Sequence, residues 1–341
     1  MGRGNKAYYK DLHQQAYERL TGMLALGDSK KSDKAYDREH GTDLVSSKIY
    51  MSTTYETYWK HIKYFLKWIK TEHPDCKTLK KARKYVNEWL SVRVKEGKSA
   101  WTIQTEEAAL NKLYNIKKDD SDKFQAPQRK KEDIVRSRGA KERDKHFSEK
   151  KNEELVNFCR GCGFRRNVLE KLRGKDLYDR DKIEIALQQA KVNGDRKMIV
   201  ACTDALKTFP DKEYFILHYN DKGGKTRIAP IVGDHVEKIV ERMKNTKPDE
   251  LVWRYVPNSC DVHGYRAPYA TELYKQYARP VEELNYKNKI RCSDGTYKSE
   301  IYVCRGDEKG KRLDRVAVGM VSIALGHNRE DTAITNYIQN L

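Results

Sequence analysis

Apolar residues recur with a helical period through the first third of the chain. They fall at Tyr55, Tyr58, Ile62, Phe65, Leu66 and Ile69, while Lys60, Lys63, Lys67 and Lys70 take the other side. Spacings of three and four residues place side chains on one face of a helix, so this stretch predicts an amphipathic helix with a lysine-bearing outer face. A second segment carries Tyr85, Val86, Trp89 and Leu90, a third Ala108, Leu110, Leu113 and Tyr114, and an earlier helix is expected over residues 7–25. The four together predict a small helical bundle whose lysine faces suit a phosphate backbone, with Lys60, Lys63 and Lys67 as contacts.

The period is lost over residues 119–147, a polar stretch with one proline and one glycine. This places a helical domain at 1–120, a linker at 121–146 and a second domain at 147–341. Residues 129–145 hold eight basic side chains against four acidic ones. The linker therefore reads either as a solvated spacer or as a segment tracking along DNA, with Arg129, Lys130 and Lys131 as its phosphate contacts. Beyond it the pattern is mixed. A helix near 148–160 leads through a glycine break at Gly161 to Gly163 into another near 166–173. Alternating Tyr214 and Ile216, then Ile228 and Ile231, flank Asn220-Asp221-Lys222-Gly223-Gly224 and predict a hairpin. The remainder reads as helical, interrupted by a polar stretch at 286–312. The expected class is mainly α with a small antiparallel sheet, α+β, without an internal repeat.

Charge adds a partner to this picture. The chain carries a net charge of +19, with 34 Lys and Arg against 22 Asp and Glu in residues 1–150, and 35 against 28 in residues 151–341. Both halves are basic, which points to a polyanion rather than to one detachable tail, since each neutralised phosphate releases counterions. No aromatic RNA-binding platform is recognisable. No apolar run approaches a membrane span, and MGRGNKAYYKDLHQQ lacks the apolar core of a secretory signal, so a cytoplasmic, nucleoid-associated protein is expected. The seven cysteines are scattered and read as free thiols. Cys159 and Cys162 form a CxxC without a second pair, so no metal is expected.

Several scattered residues carry candidate chemistry. Arg165 follows a glycine turn at a helix start, where a guanidinium beside free N–H groups makes an anion site; the alternative is an ordinary surface arginine. Lys222 sits in the hairpin turn, followed by Lys225 and Arg227, which are candidate phosphate contacts. His263 and Arg266, three apart on the first turn of a helix, share a face. The closing segment holds His327 and Tyr337. Packing is the ordinary role of a tyrosine so placed, and the chain has 22 of them.

In this order, Arg165, Lys222, His263-x-x-Arg266, Leu325-Gly326-His327 and Tyr337 resemble the tyrosine recombinase (phage integrase) family. The likeness covers about residues 147–341 by motif and, less specifically, residues 50–120, which look like that family's SAM-like core-binding domain. It implies a site-specific DNA recombinase of a phage or other mobile element, its two domains forming a C-shaped clamp on the duplex. It implies Arg165 and Arg266 on the phosphate, His263 and His327 assisting, Lys222 as general acid and Tyr337 as nucleophile, giving a 3′-phosphotyrosyl intermediate without metal or other cofactor. It further implies double-stranded DNA recombination sites as substrate, a homotetramer on DNA that is monomeric or weakly associated off it, no membrane, and room for accessory DNA-bending proteins. The chain departs from the pattern at Val168, where an acidic residue is common and Glu170 or Asp176 are the substitutes at hand, and at Ala267. The stretch at 286–312 is long and contains a rival nucleophile, Tyr302. Only four residues follow Tyr337, so a tail docking on a neighbour is not expected. The rival readings are a type IB topoisomerase-like or resolvase-like enzyme and a catalytically silent DNA-binding protein of the same fold.

Overall fold

A computed structural model describes residues 10–130, 133, 146–292, 295–305, 308–327, 330–338 and 341. Lys131 lies outside the described residues. The chain divides into two units, Met1–Arg129 and Lys130–Leu341, with the division inside the polar stretch.

The first unit is helical: α1 (Leu12–Thr21), α2 (Lys30–His40), α3 (Leu44–Ser47), α4 (Ser52–Glu72), α5 (Leu79–Ala82), α6 (Val86–Lys95) and α7 (Ala100–Tyr114). Where one helix was expected over 7–25, α1 starts after Asp11, whose carboxylate accepts the Gln14 amide at 2.7 Å, and stops at Gly22. The α2 helix has no sequence signal because it buries no residue, and so it has no apolar stripe to read. The α4 stripe is as expected. Ile62, Phe65, Leu66 and Ile69 are buried, and Lys60, Lys63 and Lys67 are exposed.

On α7 the expected stripe needs one correction. Ala108 is exposed, while Glu106 is fully buried. A buried carboxylate is costly unless paired. Here Arg93 donates to it from Nε at 3.0 Å and from Nη2 at 2.9 Å, and His61 Nδ1 lies 3.3 Å away. Burial pushes the Glu106 pKa up, but His61 and Arg93 outweigh it and hold the carboxyl below its usual value.

The second unit contains α8 (Glu153–Cys162), α9 (Arg166–Leu169), α10 (Arg180–Asn193), α11 (Arg196–Thr208), α12 (Val236–Lys244), α13 (Arg266–Tyr277), α14 (Arg315–Ala324) and α15 (Glu330–Asn336). Strands β1 (Leu177–Asp179), β2 (Tyr214–Asp221) and β3 (Lys225–Pro230) form one antiparallel sheet in the order β1-β2-β3. The helix expected over 166–173 ends at Leu169, because Arg173 bridges to Leu251 and Gly174 runs against the Thr246 carbonyl. The described residues in and just after the polar stretch at 286–312 form two small antiparallel pairs, β4 (Lys289–Arg291) with β5 (Tyr297–Ser299) and β6 (Ile301–Val303) with β7 (Arg312–Asp314). Arg279 ties them together, donating from Nε to Asp314 Oδ2 at 2.8 Å and from Nη1 to Glu300 Oε2 at 3.1 Å. The architecture is thus mainly helical with small antiparallel sheets. Among the described residues no helix is long and apolar enough to cross a membrane.

Two buried apolar clusters flank the three-stranded sheet. One gathers Phe158, Phe164, Leu169, Ile216 and Tyr265, and the other Phe215, Ile228, Tyr269, Leu273, Val321 and Tyr337. Cys159 and Cys162 lie in the first, where burial raises both thiols well above their ordinary pKa.

Gly163 joins local backbone to site placement. It ends α8 with φ +60°, and a Cβ there would lie 2.4 Å from the Tyr269 ring. That ring is buried and anchored through its hydroxyl to the Pro230 carbonyl at 2.9 Å. Gly163→Ala therefore combines left-handed strain with overpacking, and is expected to destabilise the chain by roughly 2–5 kcal/mol. Urea denaturation of the full chain reads this directly; a wild-type midpoint would mean that the Tyr269 ring moves aside at little cost.

Candidate functional site

The β2–β3 hairpin supplies a buried carboxylate. His218 pairs with Arg227, and Asp221 with Lys225, so the register slips by one residue between them. Strand side chains alternate faces, and an unbroken β2 would send His218 and Asp221 to opposite sides; the extra residue re-aims Asp221 to the side of His218. Asn220 takes φ 47° in the bulge, Tyr219 is exposed, and His218 and Asp221 are both buried. Asp221 Oδ2 accepts from Nη1 of Arg165 and from Nη1 of Arg227. Its Oδ1 accepts the Lys222 amide at 2.6 Å.

The end of α14 supplies a second anchor. The last carbonyls of a helix lack intrahelical partners and carry the negative end of its dipole. Three successive ones each take a cation. Arg227 Nε donates to Ala324 O at 2.7 Å, Arg266 Nη2 to Leu325 O at 3.0 Å, and Lys225 Nζ to Gly326 O at 2.7 Å. Gly326 has φ +71°, and a Cβ on it would lie 3.0 Å from Arg227 Nη1, so glycine is required for the turn that sets up His327. Arg266 also donates from Nη1 to Gly163 O at 2.6 Å, which joins it to the turn bearing Arg165.

Tyr337 follows α15 directly and meets this cluster. Its hydroxyl lies 3.2 Å from His263 Nε2, its ring stacks on His327 at 5.2 Å, and the Arg266 guanidinium lies 5.1 Å from the ring centroid. Its ring is buried, so the packing role also holds.

Arg165, His263, Arg266, His327 and Tyr337 are thus gathered in one place, together with Lys225. His263 precedes the helix that Arg266 begins; the two do not share its first turn, and His263 is exposed while Arg266 is fully buried. Lys222 is exposed on the hairpin turn. Arg227, expected as a phosphate contact, is turned inward, where Asp221, His218 Nδ1 at 2.8 Å and Ala324 O occupy it. Lys60, Lys63, Lys67, Arg129 and Lys130 are exposed on the first unit or at the division between the units. Tyr302 lies on β6 against Arg315, whose guanidinium is 4.9 Å from its ring. Glu170 pairs with Arg166 at 3.2 Å and Asp176 accepts the Arg173 amide at 2.8 Å, so the partner of Arg165 is neither of them but Asp221. Asp221 has no signal in the sequence, since its inward aim depends on the bulge. A scan of the chain against protein-family models gives no match, and a search of curated proteins gives none either.

The charge balance of the cluster is uneven. Arg165, Arg227, Arg266 and Lys225 stand together, and Asp221 pairs with only the first two of them. Burial raises the Asp221 pKa, but Arg227 and then Arg165 outweigh it and hold the carboxyl below its usual value. Arg266 is pulled below the ordinary arginine value by burial and by Arg227 and Arg165, and Lys225 is lowered by burial and the same two arginines. His327 falls to about 3 through burial first and then Arg266 and Arg165. His218, fully buried, falls well below its ordinary value through burial, Arg227 and Arg266. Arg266 Nε and His327 Nδ1 are buried without a hydrogen-bond partner among the described residues. Such a place accepts a multiply coordinated anion.

Both histidines are neutral in the folded chain and titrate at ordinary values in the unfolded one. The unfolded state therefore binds more protons, and stability is expected to fall as pH drops from about 6.5 toward 3, by less than about 1.4 kcal/mol per pH unit for the partly exposed His327. Urea denaturation between pH 7 and 4 should show this slope, shallower in His327→Gln. A slope unchanged by that substitution would remove His327 from the account.

Proposed function

We propose that the chain is a DNA strand-cutting and rejoining enzyme that works as tyrosine recombinases do, using Tyr337 as nucleophile. The observation that carries this reading is a tyrosine hydroxyl within hydrogen-bond reach of a histidine, set against a buried cluster with more cations than carboxylates. A phosphodiester is singly anionic and repels nucleophiles; Arg165 and Arg266 neutralise that charge and the charge that develops on the nonbridging oxygens. A tyrosine hydroxyl, with an ordinary pKa near 10, needs a proton acceptor to attack at neutral pH, and His263 Nε2 lies where that proton goes.

In the proposed step the Tyr337 Oη–phosphorus bond forms as the phosphorus–O5′ bond breaks. The phenol proton passes to His263, and the leaving O5′ takes a proton from a lysine of the hairpin, Lys222 by the likeness of its place. The 3′-phosphotyrosyl ester retains the energy of the broken bond, so attack by another strand's 5′-hydroxyl reverses the step without ATP. Both units are basic, and the exposed lysines of α4 suit the same polyanion. We extend the reading to site-specific recombination for a mobile element, on paired sites and as a tetramer. That finer part rests on the motif likeness. A silent DNA-binding role is disfavoured, since packing of the Tyr337 ring does not call for a histidine at its hydroxyl or a guanidinium beside it.

The test is a pool of nicked duplexes with a randomised core, denatured after incubation and resolved for protein–DNA adducts. Wild type is expected to form an adduct, Tyr337→Phe none, and Tyr302→Phe a wild-type amount. Arg266→Ala should slow adduct formation at least roughly a hundredfold. No adduct from wild type, or one from Tyr337→Phe, overturns the reading.

A further inference from the structure

Asp221 is the residue the proposed chemistry leaves without a role. It is buried, acidic, and stands between two arginines of the cluster. Its two guanidinium partners differ. Arg227 is nearly enclosed and has two further partners: its Nε donates to Ala324 O and its Nη2 lies on His218 Nδ1. Arg165 keeps 17% of its side chain exposed, and the carboxylate is its one side-chain ion-pair partner among the described residues. A carboxylate and a phosphodiester oxygen offer a guanidinium the same kind of acceptor, so Asp221 occupies in the unliganded protein the charge position that a phosphate would take.

We propose that Asp221 is a built-in counter-ion that an entering DNA phosphate displaces from Arg165 but not from Arg227. This rests on the reading that the cluster receives a DNA phosphate. In the unliganded protein the carboxylate offsets the mutual repulsion of the arginines and holds Arg165 near its working position. When the phosphate arrives, Arg165 transfers an N–H from Asp221 Oδ2 to a phosphate oxygen. Arg227 and the Lys222 amide keep the carboxylate in place, so the hairpin stays docked. Asp221 is then a positioning residue with two opposed effects. Its charge weakens binding of any anion that presents itself, and its geometry raises the reactivity of the one that fits.

The two effects separate in Asp221→Asn, which keeps an acceptor for the Lys222 amide and removes the charge. Affinity of the full chain for inorganic phosphate, measured by calorimetry, is expected to rise about fivefold or more, because a competing charge is gone. The adduct-forming rate at saturating nicked duplex should fall at least roughly tenfold, because the hairpin that carries Lys222 is no longer held by charge to Arg227. Asp221→Glu keeps the charge and alters the reach, so phosphate affinity should stay near wild type while the rate falls. A merely structural role predicts that binding and rate weaken together.

A measurement on the wild-type chain covers the case in which the variants do not fold. In side-chain nitrogen NMR, added phosphate should shift the Arg165 guanidinium resonance and leave that of Arg227 in place; equal shifts, or none, overturn the proposal. If wild type forms the Tyr337 adduct while Asp221→Asn matches it in both affinity and rate, the counter-ion role fails and the proposed function stands. If wild type forms no adduct with any duplex of the pool, the proposed function fails first.

Discussion

Four cations brought into one partly dehydrated place repel one another, and the second unit is arranged around containing that repulsion. Water would screen them and the interior does not. The repulsion is offset by one carboxylate and four carbonyls, the Gly163 carbonyl taking Arg266 a second time. Asp221 stands between Arg165 and Arg227, and the carbonyls of Ala324, Leu325 and Gly326 take Arg227, Arg266 and Lys225 in turn. The containment is incomplete: burial lowers Arg266, Lys225 and His327 first, and the neighbouring arginines add to it in each case. An anion entering the cluster supplies what is missing.

The remaining structure reads as support for this arrangement. Gly163 ends α8 in a left-handed turn, releases Arg165 from helical geometry and offers its carbonyl to Arg266. The β2 bulge delivers Asp221, and Gly326 lets Arg227 approach the backbone. Tyr269 locks the Gly163 turn to the end of β3 through the Pro230 carbonyl. Arg315 extends the support to the segment that carries Tyr337, pairing with Glu330 at the start of α15 while bonding the Ile301 carbonyl at 3.2 Å. The hairpins of the polar stretch thereby brace the helix that precedes Tyr337.

Legibility followed burial. The α4 stripe from Tyr55 to Ile69 was readable because its apolar residues face a core and its lysines face water. The α2 helix buries nothing and gave no periodic signal. Ala108 is exposed where the stripe places it inside, and Glu106 is buried because Arg93 and His61, 13 and 45 residues away, make a buried carboxylate tolerable. In the candidate site Arg165, Lys222, His263, Arg266, His327 and Tyr337 are legible from their order along the chain, and Lys222 is the one that stays exposed on the hairpin turn. In sequence Asp221 is one more turn residue and Arg227 one more basic residue beside it; their inward aim comes from the bulge and the docked α14 terminus.

What the sequence by itself determined is local: helix periods, glycine turns, the hairpin, the net charge of both halves, and the residue types available for chemistry. These depend on neighbours within a few positions, or on no neighbours at all. Which cation faces solvent and which is enclosed, and which carboxylate answers them, was decided only by the tertiary structure. Arg165 meets Asp221 across 56 residues, and Tyr337 meets His263 across 74. The one-residue register slip that makes the first of these contacts exists only once β2 has paired with β3, because the direction of a strand side chain is set by its partner strand as well as by its own sequence.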